Sequence, residues 1–423
     1  MFWFSLIFLD GRYATVNQQI HLNLIQQLNE TLTTFNNGDS EKSFLILPVD
    51  SLGLANRLRI ISGFYSIATV EKYTLIVIWI PSDDCTTDFY SIFTGFAQSN
   101  IALISYPYLP PKSLVAELDI VLRNYLKSYS SMKSLSFGIL FPTQYVVHLS
   151  DDKRRIILVY TRGSHSPAAL SCDEHLFTKG LFYQGLVLAP PVQSIVDEIK
   201  FKHFAGSKLL IGVHIRAFDA QFDWSVATPA LTSEEAKKLH PIRFDEASPL
   251  WAFVSAMESI LKVRPTARFF ICSNSYEVKQ LLLAHFGSAH ILTLIDAADP
   301  GQGQEDGQGK LLWSDRTSER GMQLAAAEFV LLGSTVGILH TRGSSFAREA
   351  AAMRTIPVID VSIAALTSVS ILLYFFTTVG HHRYSRGGTG SLLLFAALRL
   401  AALRNARIHR SRLQSSPRFK CNQ

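Results

Sequence analysis

The feature that most constrains the fold is the alternation of short apolar runs and amphipathic segments between residues 206 and 360. Runs such as 209–215 and 268–272 have the length of buried strands. Segments such as 250–263 and 322–332 repeat apolar residues every three to four positions, as helices do. Because parallel strands are nearly continuous in apolar residues and are joined by helices, this alternation predicts an α/β fold with a parallel sheet covered on both faces.

A less regular series of the same kind lies between residues 43 and 205. It predicts strands at 44–49, 75–80 and 101–105 and a helix at 54–68, whereas the order of elements in 110–200 is not readable. We place a boundary near residue 205. The resulting organisation is an N-terminal extension (1–42) followed by two Rossmann-like domains (43–205 and 206–360).

Polar side chains stand at three predicted strand-to-helix junctions, where ligands of open α/β sheets bind. At the first junction, Gly53 permits a tight turn, and Asn56 and Arg57 fall in the opening turn of a helix that faces the ligand. The alternative is that Asn56 caps the helix and Arg57 is solvated.

At the second junction, His214, Arg216 and Asp219 follow the apolar run 209–213. Strand alternation puts residues 214 and 216 on one side, and a guanidinium there suits a phosphate, which it grips through two parallel hydrogen bonds. Asp219 is expected to orient the guanidinium. A salt bridge between Arg216 and Asp219 with no ligand is an equal alternative.

At the third junction, Gly343 makes a turn, and Ser344 and Ser345 begin a helix. The free N–H groups and positive dipole end of such a helix suit an anion. The alternative is a plain serine N-cap. Taken together, the three junctions predict a ligand held in a cleft between two Rossmann-like domains.

The motifs Gly53-x-x-Asn-Arg-Leu58, Gly212-Val-His-Ile-Arg-x-x-Asp219 and Gly343-Ser-Ser-Phe-x-x-Glu-Ala350 resemble, in this order, three motifs of a fucosyltransferase superfamily. It includes core α1,6-fucosyltransferases, bacterial nodulation fucosyltransferases and protein O-fucosyltransferases. The resemblance implies a GT-B fold, in which two Rossmann-like domains face each other across a cleft. It also implies a GDP-sugar donor, typically GDP-fucose, and no metal or other cofactor.

The resemblance also implies roles for individual residues. Arg216 would grip the donor diphosphate, with His214 beside the nucleotide. Ser344 and Ser345 would bind phosphate or ribose, and Asn56 would lie near the reacting sugar. The remaining members of the predicted donor-binding set are Gly53, Arg57, Glu328 and Phe346, of which Glu328 would read guanine.

Three positions depart from the family pattern. Ala217 replaces a second arginine, Glu328 replaces the usual aspartate, and Asn274 replaces an acidic residue and cannot ionise. These departures favour an alternative function, a catalytically inactive protein of the same fold that binds a nucleotide sugar or a glycan.

The predicted chemistry is inverting transfer of fucose to a hydroxyl of a glycan or protein. Negative charge builds on the leaving diphosphate, and a fixed guanidinium with helix-end amides stabilises it most at the transition state, without Mg²⁺. The catalytic set predicted here is Arg216, Asn56 and Asp219. The base stays open among Asp219, Glu328 and the leaving phosphate. The pair Asp83-Asp84, the nearest approach to a metal-binding motif, is expected to be distant from the three junctions and so not well placed to hold a metal.

Charge argues against nucleic acid as a partner. The net charge is +6, but residues 381–423 hold nine Lys and Arg and no acidic residue, which leaves 31 basic against 34 acidic side chains in residues 1–380. The four cysteines are scattered and show no zinc-ligand spacing. An oxidoreductase is disfavoured because no GxGxxG follows a predicted strand.

Segment 361–380 is uncharged and long enough to cross a bilayer. With the basic tail 381–423 on the cytosolic side, it would place the enzyme in the lumen of the Golgi or endoplasmic reticulum. The alternative is a buried helix that closes the second domain. A membrane scaffold without nucleotide binding is the remaining hypothesis.

Overall fold

The computed structural model describes residues 14–36, 43–50, 52–106, 134–141, 144–150, 155–161, 172–205, 209–216, 250–294, 318–342 and 344–361, with 110, 120–122, 125 and 248. All of them lie in one compact unit. The strands are β1 (Ser43–Val49), β2 (Tyr73–Trp79), β3 (Phe93–Phe96), β4 (Ile101–Ser105), β5 (Ser134–Phe141), β6 (Gln144–Ser150), β7 (Arg155–Thr161), β8 (Leu186–Leu188), β9 (Leu210–Ile215), β10 (Arg268–Ser273), β11 (Ile291–Thr293), β12 (Ile338–Thr341) and β13 (Val358–Val361). The helices are α1 (Ala14–Asn36), α2 (Leu54–Val70), α3 (Cys172–Gln184), α4 (Pro190–Ile199, continued by a π-helical turn over Lys200–Phe204), α5 (Leu250–Val263), α6 (Tyr276–Phe286), α7 (Glu319–Leu332) and α8 (Ser345–Ala352).

The N-terminal sheet has the strand order β4-β2-β1-β7-β6-β5. The pairings from β4 to β7 are parallel, whereas β6 runs antiparallel to both β5 and β7. Alternate residues of β1 enter different cores, because successive side chains of a strand point to opposite faces. Phe44 and Ile46 pack with helix α1, while Leu45 and Leu47 join the cluster that contains α2.

The C-terminal sheet has the order β11-β10-β9-β12-β13, and all of its pairings are parallel. All six residues of its central strand β9 are buried. Gly212 in β9 is a position of close approach, since an added Cβ would lie 2.6 Å from Leu332 Cδ1 and 2.9 Å from Thr335 Oγ1. The glycine therefore lets the end of α7 pack directly on the sheet.

One continuous buried cluster runs from the N-terminal sheet through helices α2, α3, α7 and α8 to the C-terminal sheet. Within each sheet the strand order reverses at one strand, β1 in the first and β9 in the second. Such reversal points are where open α/β sheets bind ligands, beyond the carboxyl ends of the strands. The fold thus offers two adjacent sites for functional loops.

These observations confirm the predicted α/β class with parallel sheets. The alternation predicted in 206–360 is present as strands and helices, and α5 coincides with the predicted helix 250–263. The antiparallel edge formed by β5 and β6 was not predicted, nor was the small β3–β8 pair. Because the described residues form one unit, the boundary near residue 205 stays a prediction.

None of the described helices combines the length and the apolar character that crossing a bilayer requires. Residue 361 ends strand β13. The rest of the predicted membrane segment, 362–380, and the basic tail 381–423 lie outside the described residues.

Candidate functional site

A pocket of about 200 Å³ lies where the carboxyl ends of β1, β9, β10 and β12 meet helix α7. About 10–15 Å³ measured in this way is enough for one water molecule, so the pocket has room for part of a ligand. Its walls come from both sheets. The lining residues are Leu52, Gly53, Leu54, Ala55, Asn56, Asp84, His214, Arg216, Ser273, Asn274, Gly321, Met322, Ala325, Glu328, Ser344, Ser345 and Phe346.

The C-terminal wall contains the residues that follow β9. Arg216 lies directly after the strand, and its backbone N–H donates a hydrogen bond to Thr341 Oγ1 at 2.9 Å, which ties the ends of β9 and β12 together. The ring of His214 stacks on Phe346, with ring centres 5.2 Å apart and planes 16° apart. A buried stacked ring and a neighbouring guanidinium form a surface on which an anion and a planar ligand can both bind.

The amino end of helix α8 forms the adjoining wall. Ser344 is the N-cap residue and Ser345 is the first helical residue, and both are buried. Ser344 is thus the N-cap by position, as the alternative interpretation expected, but its side chain makes no capping hydrogen bond. The first N–H groups of a helix have no partner within it and carry the positive end of the dipole. This wall is therefore suited to an anion.

The N-terminal wall is the start of helix α2. Asn56 lies in its first turn and lines the pocket, while the N-cap is Gly53. The alternative interpretation of Asn56 as a cap is therefore wrong. Gly53 has an ordinary φ of −66°, and a Cβ there would meet only Asp84 O, at 3.8 Å. The glycine is thus not required by the turn, contrary to the sequence interpretation.

Arg57 is not among the pocket residues, and it is not solvated either. Its guanidinium is buried and donates to the carbonyl oxygens of Val49 (3.0 Å), Asp50 (3.0 Å), Leu52 (2.6 Å) and Ile80 (2.6 Å). A fifth hydrogen bond is donated to the hydroxyl of Ser82 at 2.7 Å, and the guanidinium lies 4.6 Å from the ring centre of Trp79. These contacts occupy the donors of the side chain, so the structure corrects the predicted donor-binding role of Arg57 to a structural one.

Glu328 faces the pocket from α7 and is 8% exposed. Its Oε1 accepts a hydrogen bond from Lys279 Nζ at 2.5 Å, and Lys279 also donates to Leu294 O at 3.0 Å. Burial raises the pKa of Glu328, and the ammonium of Lys279 opposes that shift. An unpaired buried carboxylate would be strongly destabilising, and the ion pair with Lys279 removes that cost here.

Asp84 is a pocket residue that the sequence interpretation missed. It lies in the turn after β2 and is exposed, as is Asp83. The prediction that Asp83-Asp84 is distant from the three junctions is wrong for Asp84, because it follows the strand next to β1 and lines the same pocket as Asn56. Ligands of open α/β sheets bind beyond the carboxyl ends of the strands, and this argument, applied above to β1, β9 and β12, applies to β2 as well.

Ser273 and Asn274 also line the pocket, at the end of β10. Asn274 is the position where the resemblance showed a departure from the family pattern. Asp219, Ala217 and Gly343 lie outside the described residues, so the predicted roles of Asp219 and Gly343 are untested. In the part of the chain that the structure describes, no three His, Cys, Asp or Glu side chains are grouped as metal ligands would be.

No protein-family profile matches the chain, and no curated protein sequence matches it. Among solved structures, it is similar to fucosyltransferase NodZ from Bradyrhizobium, with 14% identity, a TM-score of 0.42, and coverage of 75% of this chain and 96% of NodZ. It is also similar to a mutant of Arabidopsis thaliana FUT1 in complex with GDP, with 13% identity, a TM-score of 0.41, and coverage of 83% of this chain and 80% of FUT1. POFUT1 in complex with GDP gives 9% identity, a TM-score of 0.41, and coverage of 76% of this chain and 99% of POFUT1.

Proposed function

We propose that this chain is a glycosyltransferase that moves fucose from GDP-fucose to a hydroxyl group of a glycan or protein, with inversion and without a bound metal. The observation that carries the proposal is the meeting of two anion-binding groups in one pocket. Arg216 at the end of β9 and the amino end of α8 form one wall, and Asn56 and Asp84 from the other sheet line the same pocket.

The donor would bind on the C-terminal wall. The Arg216 guanidinium suits the diphosphate, which it can grip through two hydrogen bonds, and the first N–H groups of α8 and the Ser344 hydroxyl would complete the shell. The stacked pair of His214 and Phe346 would lie against the nucleoside. Glu328, with one oxygen bound to Lys279, would accept a hydrogen bond from guanine through its second oxygen.

In the proposed reaction the acceptor oxygen forms a bond to the anomeric carbon as the bond from that carbon to the phosphate oxygen breaks. The bonding pair leaves with the diphosphate, and the acceptor proton passes to a base. Of the carboxylates that line the described pocket, Glu328 is paired with Lys279. We therefore propose Asp84 as the base in preference to Glu328, beside Asp219 and the leaving phosphate, the other candidates that the sequence suggested. Asp219 keeps its predicted role of orienting Arg216.

The proposal of metal independence rests on charge. A leaving diphosphate develops negative charge, and a fixed guanidinium with helix-end amides neutralises it at no cost of reorganisation during the reaction. Transfer is therefore expected to persist in EDTA. Adding Mg²⁺ back should not raise the rate.

The test is transfer of radiolabelled fucose from GDP-fucose to a panel of glycan and protein acceptors in EDTA. Wild type is expected to label at least one acceptor, and Arg216→Ala to lose about 100-fold or more in kcat/KM, the scale seen when a donor to the developing charge is removed. Arg354→Ala, an exposed arginine beyond the far end of α8, is the matched control and should retain activity. Full activity of Arg216→Ala would contradict the proposal.

One observation favours the second candidate, an inactive nucleotide-sugar-binding protein. Asn274 lines the pocket with an amide at a position where the resembled family has an acid. Binding of GDP with no transfer to any acceptor would support this candidate. The luminal location and membrane association remain proposals, since the residues on which they depend lie outside those described.

A further inference from the structure

A buried carboxylate joins helix α8 to helices α2 and α3. Glu349 is 2% exposed, and three side chains donate hydrogen bonds to it. Arg59 Nε lies 2.9 Å from Oε1, Tyr183 Oη lies 2.6 Å from Oε2, and Lys179 Nζ lies 2.8 Å and 2.7 Å from the two oxygens. We call Glu349, Arg59, Lys179 and Tyr183 the Glu349 cluster.

The Glu349 cluster connects elements of the two sheets. Glu349 belongs to α8, which follows β12 of the C-terminal sheet, whereas its three donors belong to α2 and α3, which pack with the N-terminal sheet. Helices α3 and α8 are also in contact here, since a Cβ at Gly180 of α3 would lie 3.6 Å from Ala352 O of α8. The cluster therefore fixes how α8 sits against α2.

The same two helices supply the facing walls of the pocket. Ser345 and Glu349 are four residues apart on α8, and Asn56 and Arg59 are three residues apart on α2, so each pair shares one helix face. The Arg59–Glu349 ion pair consequently lies about one helical turn, roughly 5.4 Å, behind the pocket on both helices.

We propose that Glu349 and Arg59 are positioning residues that hold the donor-binding end of α8 in register with Asn56, and this inference rests on the proposed function. A buried ion cluster is a poor device for stability, because well-packed apolar residues often stabilise as much. It is a good device for position, because charged hydrogen bonds are directional. Misplacing reacting groups by about 1 Å can lower a rate about 100-fold.

The test compares Glu349→Gln and Arg59→Lys with wild type. Arg59→Lys is the gentler variant, because this side chain is 22% exposed and keeps its charge. If the cluster positions the walls, kcat per folded molecule falls at least about tenfold, while the Kd for GDP, which binds one wall alone, changes less than about threefold. Arg348→Gln, next to Glu349 but on the exposed face, is the control and should keep the wild-type kcat. Wild-type kcat in both cluster variants would overturn the proposal.

A double-mutant cycle separates positioning from stability alone. If Arg59 acts by placing Asn56, the kcat losses of Arg59→Lys and Asn56→Ala are not additive, since either change removes the same alignment. Additive losses would mean that Arg59 does not act through Asn56 and would refute the inference.

A third readout does not require the proposed function. Spin labels at Val70 of α2 and Arg354 beyond α8 report the separation of the two helices by electron resonance, in a background where Cys172 and Cys421 are serine. The inference predicts a broader distance distribution in Glu349→Gln than in wild type. An unchanged narrow distribution would contradict it even if wild type shows no transfer, whereas broadening without any transfer would leave the positioning intact and count against the proposed function alone.

Discussion

Substituting Arg57 with lysine tests whether this residue supports the pocket or binds the ligand. The guanidinium makes five hydrogen bonds, four of them to carbonyl oxygens around the ends of β1 and β2, and stacks on Trp79. Lysine keeps the positive charge but has only three donors on a flexible stem. At least two of the five acceptors therefore lose their partner in Arg57→Lys.

An unsatisfied buried polar group costs about 1–3 kcal/mol, and two of them give about 2–6 kcal/mol before relaxation. Some of these acceptors are only partly buried and can bind water, so we expect a loss of about 2–4 kcal/mol in the free energy of unfolding. At about 2.1 cal/mol/K per residue, the unfolding entropy of a 423-residue chain is about 0.9 kcal/mol/K, so each kcal/mol shifts the melting temperature by about 1 °C. The melting temperature should therefore fall by about 2–4 °C.

The assay is thermal unfolding followed by circular dichroism, with GDP binding measured by calorimetry below the transition. Arg57→Lys should melt early but bind GDP within about tenfold of wild type, because Arg57 does not line the pocket. Arg354→Lys is the exposed control and should melt with wild type. If Arg57→Lys keeps the wild-type melting temperature and loses GDP binding, Arg57 is a ligand residue and the structural argument is wrong.

Three further predictions follow from other parts of the structure. Asp84→Asn should lower kcat about 100-fold or more, as expected for loss of a general base, without weakening GDP binding. The neighbouring Asp83→Asn should keep the wild-type kcat, and equal kcat values for the two variants would contradict the assignment of Asp84. Burial raises the pKa of Tyr183 well above 10, so its contribution to stability is present below pH 10 and is lost as pH rises through the folded pKa. Tyr183→Phe should therefore be less stable at pH 7 by about 1–2 kcal/mol, with a gap to wild type that narrows above pH 10 in denaturant titrations, and a constant gap would refute this. Gly212→Ala places a Cβ 2.6 Å from a leucine methyl and should cost about 1–3 kcal/mol, while Gly53→Ala, with its nearest contact at 3.8 Å, should keep the melting temperature; the reverse order would contradict the packing argument.

The C-terminal sheet was predictable because its residues carry strong local signals. Helix α5 has apolar residues at helical spacing and ends before Pro265, so sequence alone gives its bounds. Parallel strands such as β9 are buried on both faces and read as continuous apolar runs. The β3–β8 pair was not predictable, because strands of three or four residues carry too little periodicity and this pairing joins segments about 90 residues apart.

The pocket was predictable where a residue lies at the end of a strand or just beyond it. His214, Arg216, Ser344 and Ser345 were found in this way. Arg57 was misassigned because a sequence does not show that five acceptors converge on one buried guanidinium. This convergence arises from the tertiary approach of the ends of β1 and β2.

The most direct test of the central claim is a calorimetric titration of GDP, UDP and ADP into wild type and Arg216→Ala in EDTA. Wild type is expected to bind GDP more tightly than UDP or ADP. Arg216→Ala is expected to weaken GDP binding by about 30-fold or more, equivalent to at least 2 kcal/mol for a lost charged hydrogen-bond pair. Absence of GDP binding to wild type, or equal GDP affinity in Arg216→Ala, would contradict the account.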